Sequence, residues 1–141
     1  MVAEDKKIKK ACSFYVSDFH LEMILLPYIN EKIDKNENIS ILTEKNLKNT
    51  IEVLISKTNL KEENKERILS LGWNGEKNLK EKSNIIIIGT EKYIKEKNEE
   101  IKNTNPSSII DCYDFEEVKD KMNNIINEYE MSLNTSGNNK F

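Results

Sequence analysis

Four consecutive isoleucines, Ile85 to Ile88, stop at Gly89. A run this uniformly apolar offers no polar face to water, so it predicts a strand buried on both sides, as in the middle of a parallel sheet. Parallel neighbours can be reached only by crossovers, and the rest of the chain supplies strand-sized and helix-sized blocks in alternation. The expectation is a three-layer α/β/α domain with a mostly parallel sheet of four or five strands. Residues 1–133 form the single domain and residues 134–141, small and polar, read as a flexible C-terminal tail.

The other strands are predicted at residues 11–16, 38–42 and 108–113, with a further short one at residues 67–73, where Leu71, Gly72 and Trp73 suit a strand end. Helices are predicted between them. The first begins at Ser17 and Asp18, carries Phe19, Met23, Leu26, Ile29 and Ile33 as its buried stripe, and bends at Pro27, which lacks an amide donor. The second repeats Leu47, Ile51, Leu54 and Ile55 at helical spacing. Asn59 with Glu62 reads as a capping box before a polar turn or two. A fourth helix, capped by Thr90, buries Tyr93, Ile94 and Ile101, and ends at Asn105 and Pro106. The last is capped by Asp114 with Glu117 and runs through Phe115, Val118, Met122, Ile125, Ile126, Tyr129 and Leu133.

Charge and cysteines narrow the class of function. The net charge is −3 with both signs interspersed, which offers no positive field for nucleic acid. Arg67 is the only arginine among many Lys, Asn and Ile residues, a bias that reads as AT-rich codon usage. The run from Lys6 to Lys10 reads as a solvated arm. Cys12 and Cys112 sit inside apolar runs, without metal-knuckle spacing, and read as reduced core thiols. No apolar run approaches the roughly 20 residues that span a bilayer, and no signal-peptide core follows the N-terminal lysines. A cytoplasmic setting is expected, with no membrane partner, no nucleic-acid partner and no cofactor.

In sheets of this kind ligands meet the loops leaving the carboxyl ends of the strands. Those positions hold Ser17, Asp18 and His20, then Thr43 and Glu44, then Gly89, Thr90 and Glu91, and finally Asp111 and Asp114. This rim is acidic. A phosphate cradle needs several glycines and a lysine, and the turn Ser17, Asp18, Phe19 has neither, so ATP binding there is not expected. Gly89 reads as the easiest residue at a tight bend. His20, the single histidine, sits in a first helical turn, available as a base, a ligand or a hydrogen-bonded structural group.

Asp18, Glu44, Asp111 and Asp114 could surround a divalent cation if strand order brings them together, although Asp18 and Asp114 also serve as helix caps. Serine and cysteine nucleophile arrangements lack their glycine elbow or partner base. Tyr15, Tyr28, Trp73 and Tyr113 read as core aromatics.

The stretch Phe14, Tyr15, Val16, Ser17, Asp18, followed by Leu25, Leu26, Pro27, Tyr28, Ile29 and then Asn38, Ile39, Ser40, Ile41, Leu42, resembles the opening of the MEDS-type sensory domains. The resemblance covers about residues 10–45. It implies a degenerate RecA-like fold without a phosphate loop, of the kind found in bacterial and archaeal regulators. Family members often carry a histidine a few residues before the aromatic pair, where this chain has Lys10.

The combined expectation is a non-catalytic regulatory or sensing module that binds a small ligand or a protein partner through Ser17, Asp18, His20, Glu44, Gly89, Thr90 and Asp114. The rival is a metal-assisted hydrolase or transferase using Asp18, His20 and Asp111 or Asp114. A third reading is an interaction protein that docks through its C-terminal helix or tail.

Overall fold

The computed structural model of the chain describes residues 9–76, 79–135 and 137–140. Five parallel strands, β1 (Lys9–Tyr15), β2 (Ile39–Thr43), β3 (Asn84–Gly89), β4 (Ser108–Asp114) and β5 (Met131–Asn134), lie in the order β2-β3-β4-β1-β5. A sixth, β6 (Gly137–Lys140), turns back antiparallel on β5 at one edge. Helices α1 (Asp18–Asp34), α2 (Lys48–Ser56) and α3 (Glu62–Leu69) cover one face, while α4 (Glu91–Glu100), α5 (Phe115–Val118) and α6 (Met122–Ile126) cover the other. The architecture is the expected α/β/α sandwich.

The isoleucine run shows why this sheet must be covered twice. Ile86 and Ile88 point to the layer of α1, with Ala11, Tyr15, Ile39, Ile41, Ile110 and Cys112. Ile85 and Ile87 point to the layer of α4, with Cys12, Leu42, Ile109 and Tyr113. All four isoleucines are buried, and full burial of such a side chain stabilises by about 1.5–3 kcal/mol. Tyr15, Tyr28, Trp73 and Tyr113 are core residues, and both cysteines are free and buried.

Several local readings are corrected. Residues 67–73 are not a strand: Ile68 buries on α3, and beyond the helix Trp73 Nε1 donates to the Ile68 carbonyl at 2.6 Å around a left-handed Gly72. Residue Lys61, not Asn59, precedes α3, without a side-chain cap. The buried stripe of α1 is Leu21, Ile24, Leu25, Tyr28, Ile29 and Ile33, with Pro27 inside the helix, whereas Phe19 and Met23 are exposed. The final helix is broken: α5 passes into a 3₁₀ turn (Lys119–Lys121) and α6, and Leu133 belongs to β5. Residues 134–141, read from the sequence as a tail, include β6. The arm from Lys6 to Lys10 falls partly outside the described residues, and Lys9 and Lys10 open β1.

Two features of the path position the site. Between β2 and β3 the chain builds α2 and α3, passes the carboxyl end of β2 where the Leu47 amide donates to the Trp73 carbonyl at 2.8 Å, and returns along the opposite face. There Leu79 packs against the buried cluster that contains Leu42, Ile85 and Ile87, and the Lys80 amide donates to Ser40 Oγ at 2.8 Å. The second feature is a reversal. The chain leaves β1 for α1 on one face and leaves β4 for α5 on the other, although β1 and β4 are adjacent. Such a reversal opens a crevice above the carboxyl ends of the two strands.

Candidate functional site

At the carboxyl edge Tyr15 pairs with Asp114, Gly89 with Tyr113, and Thr43 with Ile88, so the strands end nearly flush and their outgoing loops form one crest. Most of the polar groups expected there are present, and each has a local partner. Ser17 caps α1, its Oγ accepting the His20 amide at 3.0 Å, and His20 Nδ1 accepts the Val16 amide at 3.0 Å. In the neutral ring this leaves the imidazole proton on Nε2. Thr90 caps α4 by accepting the Tyr93 amide at 3.2 Å, and its own amide donates to Glu44 Oε1 at 2.9 Å. Asp114 caps α5 by accepting the Glu116 amide at 3.0 Å, and Glu117 Oε1 accepts the Glu91 amide at 2.9 Å. Carboxylates thus join the β2, β3 and β4 loops at the positive ends of helices.

Gly89 is explained by space. A Cβ there would lie 2.6 Å from Tyr93 Cδ2 and 2.9 Å from Glu44 Oε1, and Gly89 is absent from the glycines with positive φ. The tight-bend explanation is therefore replaced by close approach of the Tyr93 ring.

The structure adds a cluster that the rim pattern does not contain. Lys45, in the loop after β2, places Nζ 2.5 Å from Asp18 Oδ1 and 4.6 Å from the centroid of the Tyr15 ring. Glu22, one helical turn after Asp18, is wholly buried between α1 and α2. Its Oε2 bonds the Thr50 hydroxyl, which also lies 3.1 Å from the Leu47 carbonyl. Thr50 has one proton for two acceptors, so a neutral Glu22 that donates to Thr50 satisfies both contacts. Burial pushes the Glu22 carboxyl up from its ordinary range and Asp18 adds to this, against the bond to Thr50 and the charge of Lys45. Burial works against the charge on Lys45, but the bond to Asp18 and the adjacent Tyr15 hydroxyl outweigh it and hold the ammonium above its ordinary range.

Lys45 and Glu22 are the residues that sequence reasoning missed. Glu22 shared a signal with its neighbours: it stands at i, i+3, i+7 and i+11 with Leu25, Ile29 and Ile33, a carboxyl inside a core stripe.

Asp111 is corrected. It occupies the middle of β4, opposite Cys12 and Ile87, and its side chain is fully buried beneath the rim. Tyr129 donates to Oδ2 at 2.5 Å, Asn98 donates to Oδ1 at 3.1 Å, and Lys10 Nζ lies 3.6 Å away. The Tyr113 and Tyr129 hydroxyls are 2.7 Å apart. Burial raises the Asp111 carboxyl despite these bonds. This network joins β1, β4, α4 and the segment before β5. It cannot meet Asp18 and His20 at the rim, and among the described residues no group of three His, Cys, Asp or Glu side chains could hold a metal ion.

Fold and crest together define a parallel α/β/α domain with an acidic carboxyl edge, Lys45 held against Asp18 within it, and a reversal of chain direction between adjacent β1 and β4. No family model, curated protein or solved structure matches the chain. No described helix is long and apolar enough to cross a membrane.

Proposed function

We propose that this domain is a non-catalytic regulatory or sensing module that takes a small ligand at its carboxyl edge, between the β1 loop at Ser17 to His20 and the loops at Glu44, Thr90 and Asp114. The observation that carries this reading is the reversal of chain direction between adjacent β1 and β4 at the edge where the loop polar groups collect, the position at which sheets of this kind take their ligands. The enzyme reading has less support, because Asp111 lies inside the sheet and His20 Nδ1 is engaged by a backbone amide. The resemblance of residues 10–45 to MEDS-type sensory domains favours the same reading, since that stretch includes most of β1, all of α1 and β2, and the Asp18 corner. Free buried thiols accord with a reducing, cytoplasmic setting.

Fragment mapping tests the proposal. A library of small polar fragments titrated into isotope-labelled protein should shift amides at residues 16–20, 44–46, 89–91 and 114–116. The reading fails if shifts collect instead in the groove of about 490 Å³ lined by Leu26, Pro27, Asn30 and Leu60, or nowhere.

A further inference from the structure

Among the described residues, the buried side-chain oxygen left without a hydrogen-bond partner is Glu22 Oε1. Native structures rarely leave such an acceptor idle, and its surroundings show what donor it suits. Asp18 lies on the same side of α1, one turn earlier, and its Oδ1 stands 2.5 Å from the Lys45 ammonium. The Lys45 ammonium also lies over the face of Tyr15, which is buried in β1. An aromatic face, a carboxylate and a further oxygen acceptor are the groups that recognise a cation bearing several N–H donors. The position is filled from within: the Lys45 ammonium contacts Asp18 and the Tyr15 ring, from a loop side chain that is 37% exposed.

We propose that Tyr15, Asp18 and Glu22 form a recognition site for the primary ammonium group of a small unbranched amine, and that Lys45 is a tethered occupant that such a ligand displaces. The proposal rests on the carboxyl-edge reading and names its ligand class. A primary ammonium carries three N–H donors for the oxygens of Asp18 and Glu22, whereas a quaternary ammonium carries none. A tethered competitor acts at an effective concentration of about millimolar, so Lys45 sets a threshold that only an abundant amine passes. Lys45 is also the cation that keeps Asp18 neutralised when no amine is bound.

The test uses n-butylammonium and 1,4-diaminobutane, with tetramethylammonium at equal ionic strength and N-acetyl-lysine amide as a peptide-like source of the same group. Binding is read by calorimetry and by the amide shifts of Tyr15, Asp18 and Lys45. Lys45→Ala should bind n-butylammonium at least about tenfold more tightly than the native chain. Adding Asp18→Asn or Glu22→Met to it should abolish the gain, and tetramethylammonium should not bind. Lys45→Gln, which keeps the stem over Tyr15, should show the same ordering and serves if alanine unfolds the chain. No binding to a folded Lys45 variant, binding indifferent to Asp18→Asn, or equal binding of tetramethylammonium overturns the site. Tighter binding of N-acetyl-lysine amide than of the free amines overturns the small-amine assignment. Edge shifts from neutral or anionic fragments without any from amines overturn the ammonium site while the edge reading stands.

Discussion

Gly89 and Glu22 show how single positions hold the crest together. At Gly89 the backbone runs against the Tyr93 ring, so Gly89→Ala forces a methyl into Cδ2 and Cγ of a side chain anchored close to its own backbone. The expected loss is about 1–3 kcal/mol by overpacking, and Tyr93→Ala in the same chain should remove most of that difference. Urea unfolding of the four chains checks this, and additive losses would contradict it. Glu22 makes a prediction in pH. Its folded carboxyl is raised above the ordinary value of 4.5, so between the two values the folded chain binds more protons than the unfolded one and stability falls as pH rises. Glu22→Gln is neutral throughout and escapes that fall. The stability of Glu22→Gln relative to the native chain should therefore rise from pH 4 to pH 7, with Asp111 cancelling in the comparison. A constant difference would show that Glu22 titrates alike in both states.

Between elements, Tyr129 fastens β5 to the rest of the sheet. Its hydroxyl donates to Asp111 and meets that of Tyr113, just ahead of a strand whose parallel pairing to β1 comprises Ala11 with Met131 and Cys12 with Ser132. Tyr129→Phe leaves the buried Asp111 short of a donor, an expected loss of about 1–3 kcal/mol. Hydrogen exchange should accelerate most at Met131 to Leu133, and acceleration confined to β2 and β3 would contradict this.

The same region shows where sequence reasoning stops. Val118, Ile125, Tyr129 and Leu133 keep a helical spacing, yet Ile125 and Tyr129 belong to the layer of α4 while Leu133 belongs to the layer of α1. One straight helix cannot serve both faces of a sheet, and that conflict is invisible until the position of β5 beside β1 is known. Residues 67–73 failed for a local reason, since a short apolar run closed by Gly72 and Trp73 looks alike in a strand end and in a helix end with a buried tryptophan. By contrast Ile85–Ile88, Ile39–Leu42 and Ser108–Tyr113 were legible because burial on both faces demands short, mostly apolar runs.

Across the whole molecule, strand order turns separate loops into one surface. Ser17, Asp18, His20, Glu44, Gly89, Thr90 and Asp114 could be placed at strand ends from sequence, because each follows an apolar run. Their partners could not: Lys45 meets Asp18 and Tyr15 only because α1 packs beside the β2 loop, and Asp111 sinks from the rim because β4 continues for three residues beyond it. The crest stands about 20 Å from the amino ends of the strands, which separates the two edges well enough to measure. Val16 is 65% exposed at the crest, whereas both native cysteines are buried and the Cys12 thiol is pushed up to about 12 by burial and by Asp111. A nitroxide on Val16→Cys therefore labels one site. Its relaxation should broaden the amides of Lys45, Thr90 and Asp114 to Glu116 far more than those of Asn38, Asn84 and Ser108 at the opposite edge. Equal broadening at both edges, or stronger broadening at Asn84 and Ser108, would contradict a single crest at the carboxyl ends of parallel strands.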